Sequence, residues 1–184
     1  MAVASVTVVA SLLAAGWMLT RTAVPASGLP VAALKPTWTG EVWPFPPDHW
    51  GKGKAFRCRA QHCGTEVLIY LRAKIGSCGC IASIDDDGVE RGSDLDLLAP
   101  DRTSLGPGRS IAVHWMKGRS RLYTLGGGTT GPKSAVAIAF HERCDMVVAT
   151  AAVADGQAER QEPAVIEFLN SALVLRWAEV TLGL

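Results

Sequence analysis

The sequence predicts an α+β fold: a mainly antiparallel sheet of five to seven strands with a C-terminal helix packed on one face, preceded by an N-terminal hydrophobic helix. Three patterns predict it. Apolar residues recur at every second position through several stretches after Ala55, as in strands with one buried face. A three- and four-residue spacing replaces that alternation after Pro163, and an uncharged apolar run opens the chain.

The opening run, Ala2 to Leu19, would form a helix of about 27 Å, near the lower limit for crossing a bilayer. Its length suits either a cleaved signal peptide or a membrane anchor. Val24-Pro25-Ala26 before Ser27 offers small residues at a cleavage site, so residues 1–26 are assigned to one of these two roles. Against export, Arg21 follows the run and no Lys or Arg precedes it, the reverse of the usual charge bias. The uncharged run and the cleavage-like tail outweigh one arginine. The expected location is therefore outside the cytoplasm, periplasmic or extracellular, with the membrane as a partner if the segment stays attached.

Residues 27–53 form a second region, an extended arm. Pro36, Pro44, Pro46 and Pro47 alternate with Trp38, Trp43, Phe45 and Trp50, and proline both fixes its own φ and pushes its predecessor toward extended backbone. The rings either close an edge of the domain or meet a partner, and packing on the domain is the favoured reading.

Residues 54–184 make the α+β domain. Val67, Ile69, Leu71 and Ala73 alternate with Leu68, Tyr70, Arg72 and Lys74, predicting a strand over 66–74 with a partly solvated second face. Ile111, Val113 and Trp115 predict another, turned at Lys117-Gly118-Arg119 into Arg121 to Leu125. Val136, Ile138 and Phe140 oppose Ala135, Ala137 and Ala139, and residues 145–153 repeat the theme across a short connection. The alanine side suits close approach by a helix, and the C-terminal segment, with Pro163 at its first position, is expected to supply it. Asn170-Ser171 marks a point of bending or interruption.

Of the 184 residues, 48% are hydrophobic and 19% charged, a globular composition. Without residues 1–26 the chain carries 17 basic and 17 acidic side chains. No segment concentrates Lys and Arg as phosphate contacts require, so nucleic acid is not an expected partner.

Cys58, Cys63, Cys78, Cys80 and Cys144 are the disulfide candidates in an oxidising compartment. The favoured pairs are Cys58 with Cys63, and Cys144 with Cys78 or Cys80. The alternative is a zinc or copper site built on Cys58, His62, Cys63, Cys78 and Cys80, whose thiolate and imidazole groups suit those metals. The spacing lacks paired Cys-x2-Cys knuckles. Thiol catalysis is a weaker option, resting on Arg57, Arg59 and His62 near the cysteines and on His141 near Cys144.

Two motif-like stretches fail on chemistry. Ser83 to Asp94 has carboxylates and Gly88 at calcium-loop positions, but Ser83 replaces the first carboxylate and Asp94 the bidentate glutamate; a turn and a short helix over 93–98 are expected instead. Gly126 to Ser134 resembles a phosphate loop except that Pro132 stands directly before Lys133, so a glycine-rich connection is expected. No Gly-x-Ser-x-Gly frame marks a nucleophile.

The resulting expectation is an exported or membrane-anchored, non-enzymatic domain, stabilised by disulfides, that binds or supports an envelope protein. Trp38, Trp43, Trp50, Lys117, Arg119 and Arg121 are its candidate partner-binding residues, and no cofactor is required. The alternative function is metal or thiol handling through the cysteine cluster.

Overall fold

The computed structural model describes residues 35–76, 84–126 and 133–184. All of these belong to one unit, Ala33–Leu184. The expected N-terminal helix, Cys78, Cys80 and most of the glycine-rich connection lie outside the described residues.

Among the described residues, every strand pairing is antiparallel. The strands are β1 (Trp38–Glu41), β2 (Lys54–Cys58), β3 (Val67–Lys74), β4 (Arg102–Ser104), β5 (Arg109–Val113), β6 (Met116–Leu125), β7 (Ser134–Glu142) and β8 (Asp145–Val153). Seven form a continuous hydrogen-bonded path in the order β1-β2-β3-β8-β7-β6-β4, and β5 also pairs with β6, beyond β4 along the same edge. The helices are α1 (Ala60–Cys63), α2 (Asp86–Gly92), α3 (Ala158–Leu169) and α4 (Ala172–Leu182), with a 3-10 turn at Leu95–Leu97.

The C-terminal segment is two helices rather than one. Asn170 ends α3, and the Ser171 hydroxyl accepts from the Val174 amide to cap α4, so the pair read as an interruption is a helix boundary. Pro163 sits inside α3 rather than at its start, because helix formation begins five residues earlier.

Helices cover both faces of the sheet, not one. Val136, Ile138 and Phe140 of β7 pack with Val147, Ala149 and Ala151 of β8 beneath Val165, Phe168, Leu169, Val174 and Ala178 of the terminal helices. The alanine side, Ala135, Ala137 and Ala139, instead packs with Val89 of α2 and with Leu95. Short side chains there let α2 lie close: a Cβ on Gly92 would stand 2.7 Å from the Met146 methyl. With both faces covered, β7 is buried from Ser134 through His141.

Two local expectations are corrected. The second face of β3 is buried, not partly solvated, because the arm and the segment after α2 lie over Tyr70, Arg72 and Lys74. The β5–β6 turn is His114-Trp115, three residues before the predicted one, with Val113 paired to Met116 and His114 at a φ of 53°. Arg121 to Leu125 is thus the end of a ten-residue strand that starts at Met116. The β7–β8 turn is similarly tight, with Arg143 at a φ of 55°.

Among the described residues, no helix is long and apolar enough to cross a membrane.

Candidate functional site

The acidic segment read as a failed calcium loop is a clamp between basic side chains on two strands of the sheet, β3 and β6. Asp85 caps α2 by accepting from the Gly88 amide at 2.6 Å. From there Asp86 pairs with Arg119 of β6, Glu90 with Arg121 at 3.1 Å, and Asp94 with both Arg72 and Lys74 of β3. The strand register explains this: Arg72 and Arg119 lie in one cross-sheet row with Val148 and Ala139 between them. Apolar residues in the middle of the row accept the helix, and cations at its flanks hold the ends.

The Arg72 network also fastens the arm. Its guanidinium donates to Asp94 and, at 2.8 Å, to both Asp48 carboxylate oxygens. Burial opposes charge on both Arg72 and Asp48, yet their pairing outweighs it: Arg72 is held above its ordinary pKa by Asp94 and Asp48, and Asp48 below its own by Arg72 and the Trp50 amide. Trp43 is buried against Phe45 and Tyr70, with the Arg72 cation 5.5 Å from its ring. Trp50, half-buried, has the Lys74 ammonium 5.8 Å from its ring, and Trp38 packs on Phe168 at 4.6 Å. The arm's rings thus engage the domain's own residues.

Of the basic partner-binding candidates, Lys117 is exposed, whereas Arg119 and Arg121 are drawn into the fold. Arg121 donates to Glu90, to the Ser104 hydroxyl and to the Gly106 carbonyl. These residues and the tryptophans do not converge on one surface. The basic side chains lie on the α2 face, while Trp38 lies on the other.

Cys58 and Cys63 are joined by a disulfide linking the end of β2 to α1, with Cα atoms 6.0 Å apart. Their sulfurs are therefore not thiolates in this state and do not offer the metal ligation of the alternative reading. Cys144 is also disulfide-bonded. His62 flanks Cys63 in a hollow of about 320 Å³ with Gln157, Arg160 and Gln161, and the Gln161 amide donates to the Cys63 carbonyl at 2.9 Å. Among the described residues, no three His, Cys, Asp or Glu side chains gather as a metal site would need.

A larger groove, about 510 Å³, lies where α3 stops short of β5. Arg109, Ser110 and Ile111 form its strand side, and Glu162, Pro163, Ile166 and Glu167 its helix side. Glu162 is only 2% exposed; it accepts from the buried Ser120 hydroxyl and forms an ion pair with Arg109, whose side chain is 58% exposed. Burying a carboxylate is costly unless it is paired, so this one is held by a hydroxyl from below and a cation reaching in from solvent. Sequence inspection missed the site, although a signal was present. Ala158, Glu162, Val165 and Leu169 share the buried stripe of α3, and a charge on such a stripe marks a specific partner.

Comparison with protein-family models, curated proteins and solved structures finds no match to this chain.

Proposed function

We propose that this chain is an exported or membrane-anchored, non-enzymatic domain that binds or supports a protein partner in the cell envelope. The observation that carries the reading is the disulfide between Cys58 and Cys63. Such bonds form and persist in oxidising spaces, whereas cytosolic thiol pools keep structural cysteines reduced. The uncharged run Ala2 to Leu19 supplies a route to that space. A buried cross-link, a clamped α2 and a docked arm brace the fold, and the groove beside β5 is an open concave surface on it.

The test joins location to redox state. A reporter fused after Leu184 that is active only outside the cytoplasm should be active, and native protein treated with an alkylating agent under denaturing, non-reducing conditions should leave Cys58 and Cys63 unalkylated. A silent reporter together with five alkylated cysteines would overturn the proposal and revive thiol or metal chemistry.

A further inference from the structure

Resting on the reading of the domain as a binding module, we propose that the groove between β5 and α3 receives an extended polypeptide segment whose Lys or Arg side chain pairs with Glu162. Two observations meet here. The first is the edge. β5 is hydrogen-bonded to β6 on one side, and its Val113–Met116 pair closes a two-residue turn, so the backbone groups of Ser110 and Ala112 face away from β6. Asn170 already uses part of that edge as a neighbouring strand would: its side-chain oxygen accepts from the His114 amide at 2.7 Å, and its nitrogen donates to the Ala112 carbonyl at 3.4 Å. Ser110 continues the same edge along the groove, and an open edge with unpaired backbone groups is a template for strand addition.

The second observation is charge. The groove holds two carboxylates, Glu162 and Glu167, against one cation, Arg109. Arg109 is more than half exposed, while the carboxylate it meets is buried. An incoming cation can therefore take over Glu162 while Arg109 swings into water, which it already largely occupies. Ile111, Pro163 and Ile166 offer apolar contact beside that point, which suits a basic residue flanked by aliphatic ones.

The probe is a fluorescent seven-residue peptide of alternating serine and valine with one central arginine, titrated into the oxidised full chain. A matched peptide carries norleucine in place of the arginine. The arginine peptide is expected to bind at least tenfold more tightly, with amide shifts centred on Ser110 and Ala112. Ser110→Pro removes an outward amide without touching the β6 ladder and should abolish binding. Glu162→Gln should erase the preference for arginine, and Glu167→Gln, on the exposed side of α3, should weaken it in a chain whose core is untouched. Equal binding of both peptides, shifts elsewhere, or no binding at millimolar peptide would overturn the proposal. These readouts use purified protein, so their failure leaves the export reading standing, and a cytoplasmic location would leave a positive peptide result standing.

Discussion

Arg72 and Asp94 form a doubly hydrogen-bonded ion pair in which each side chain is 3% exposed. Lys74 reaches the same carboxylate at 3.0 Å, so Asp94 is shared by two buried cations. Removing one member of a buried pair leaves its partner desolvated, a loss of about 3–5 kcal/mol. Asp94→Ala is therefore expected to lower the unfolding free energy by that amount, read as a lower urea midpoint with the slope unchanged. A loss below about 1 kcal/mol would place the network with surface ion pairs.

The arm is expected to behave as core. Trp43→Ala should cost about 3–5 kcal/mol, the range for deleting a buried aromatic side chain. A second probe is Gly53→Ala, because a Cβ there would lie 2.5 Å from the Trp43 ring and 2.4 Å from the Leu71 carbonyl oxygen, so both the indole and the β3 backbone must give way. That substitution should displace the indole, reduce the near-UV circular dichroism and lower the denaturation midpoint. An unchanged near-UV band would show that the ring is not held where the structure places it.

Which parts of this molecule were readable from the chain follows from the range of the interactions involved. The alternation of β3, β7 and β8 is local, and it located those strands to within a residue or two. The Cys58–Cys63 pair was legible for the same reason, a separation of five residues. Layer assignment was not local. Nothing within residues 134–141 says whether the alanine side meets α2 or the terminal helices, because both are apolar, and the answer lies in the pairing of Asp86, Glu90 and Asp94 with cations on β3 and β6. The groove was hidden likewise, since Arg109 and Glu162 meet only after the chain has laid down three more strands and a helix.

Acid should loosen the α2 clamp in a defined direction. Hydrogen bonds from Arg119 and from the Gly108 amide hold the Asp86 carboxyl below its ordinary value of 3.8. A folded value below the unfolded one means that the carboxylate form favours folding, so the contribution is complete above the unfolded value and is lost as pH falls through the folded one. Arg119→Gln should therefore lower the urea midpoint at pH 7, and its difference from the parent chain should shrink as the pH is taken from 4 toward 2. A difference that stays constant over that range would assign the loss to packing.

The Cys58–Cys63 bond closes a short loop, and this sets the size of its effect. Constraint of the unfolded chain grows only logarithmically with loop length, so a separation of five residues gives about 2 kcal/mol, less than a long-range cross-link. Cys58 is fully buried and Cys63 nearly so, both within the cluster that holds Phe56, Val67 and Phe168, so alanine is a better replacement than serine because it leaves no buried hydroxyl to satisfy. The Cys58→Ala/Cys63→Ala chain is expected to fold, with its denaturation midpoint lowered accordingly. Adding reductant to it should produce a second drop, because Cys144 is held in another disulfide that the double substitution leaves intact. If reductant has no effect on the variant, that second bond carries no stability and the α2 face rests on its ion pairs and packing alone.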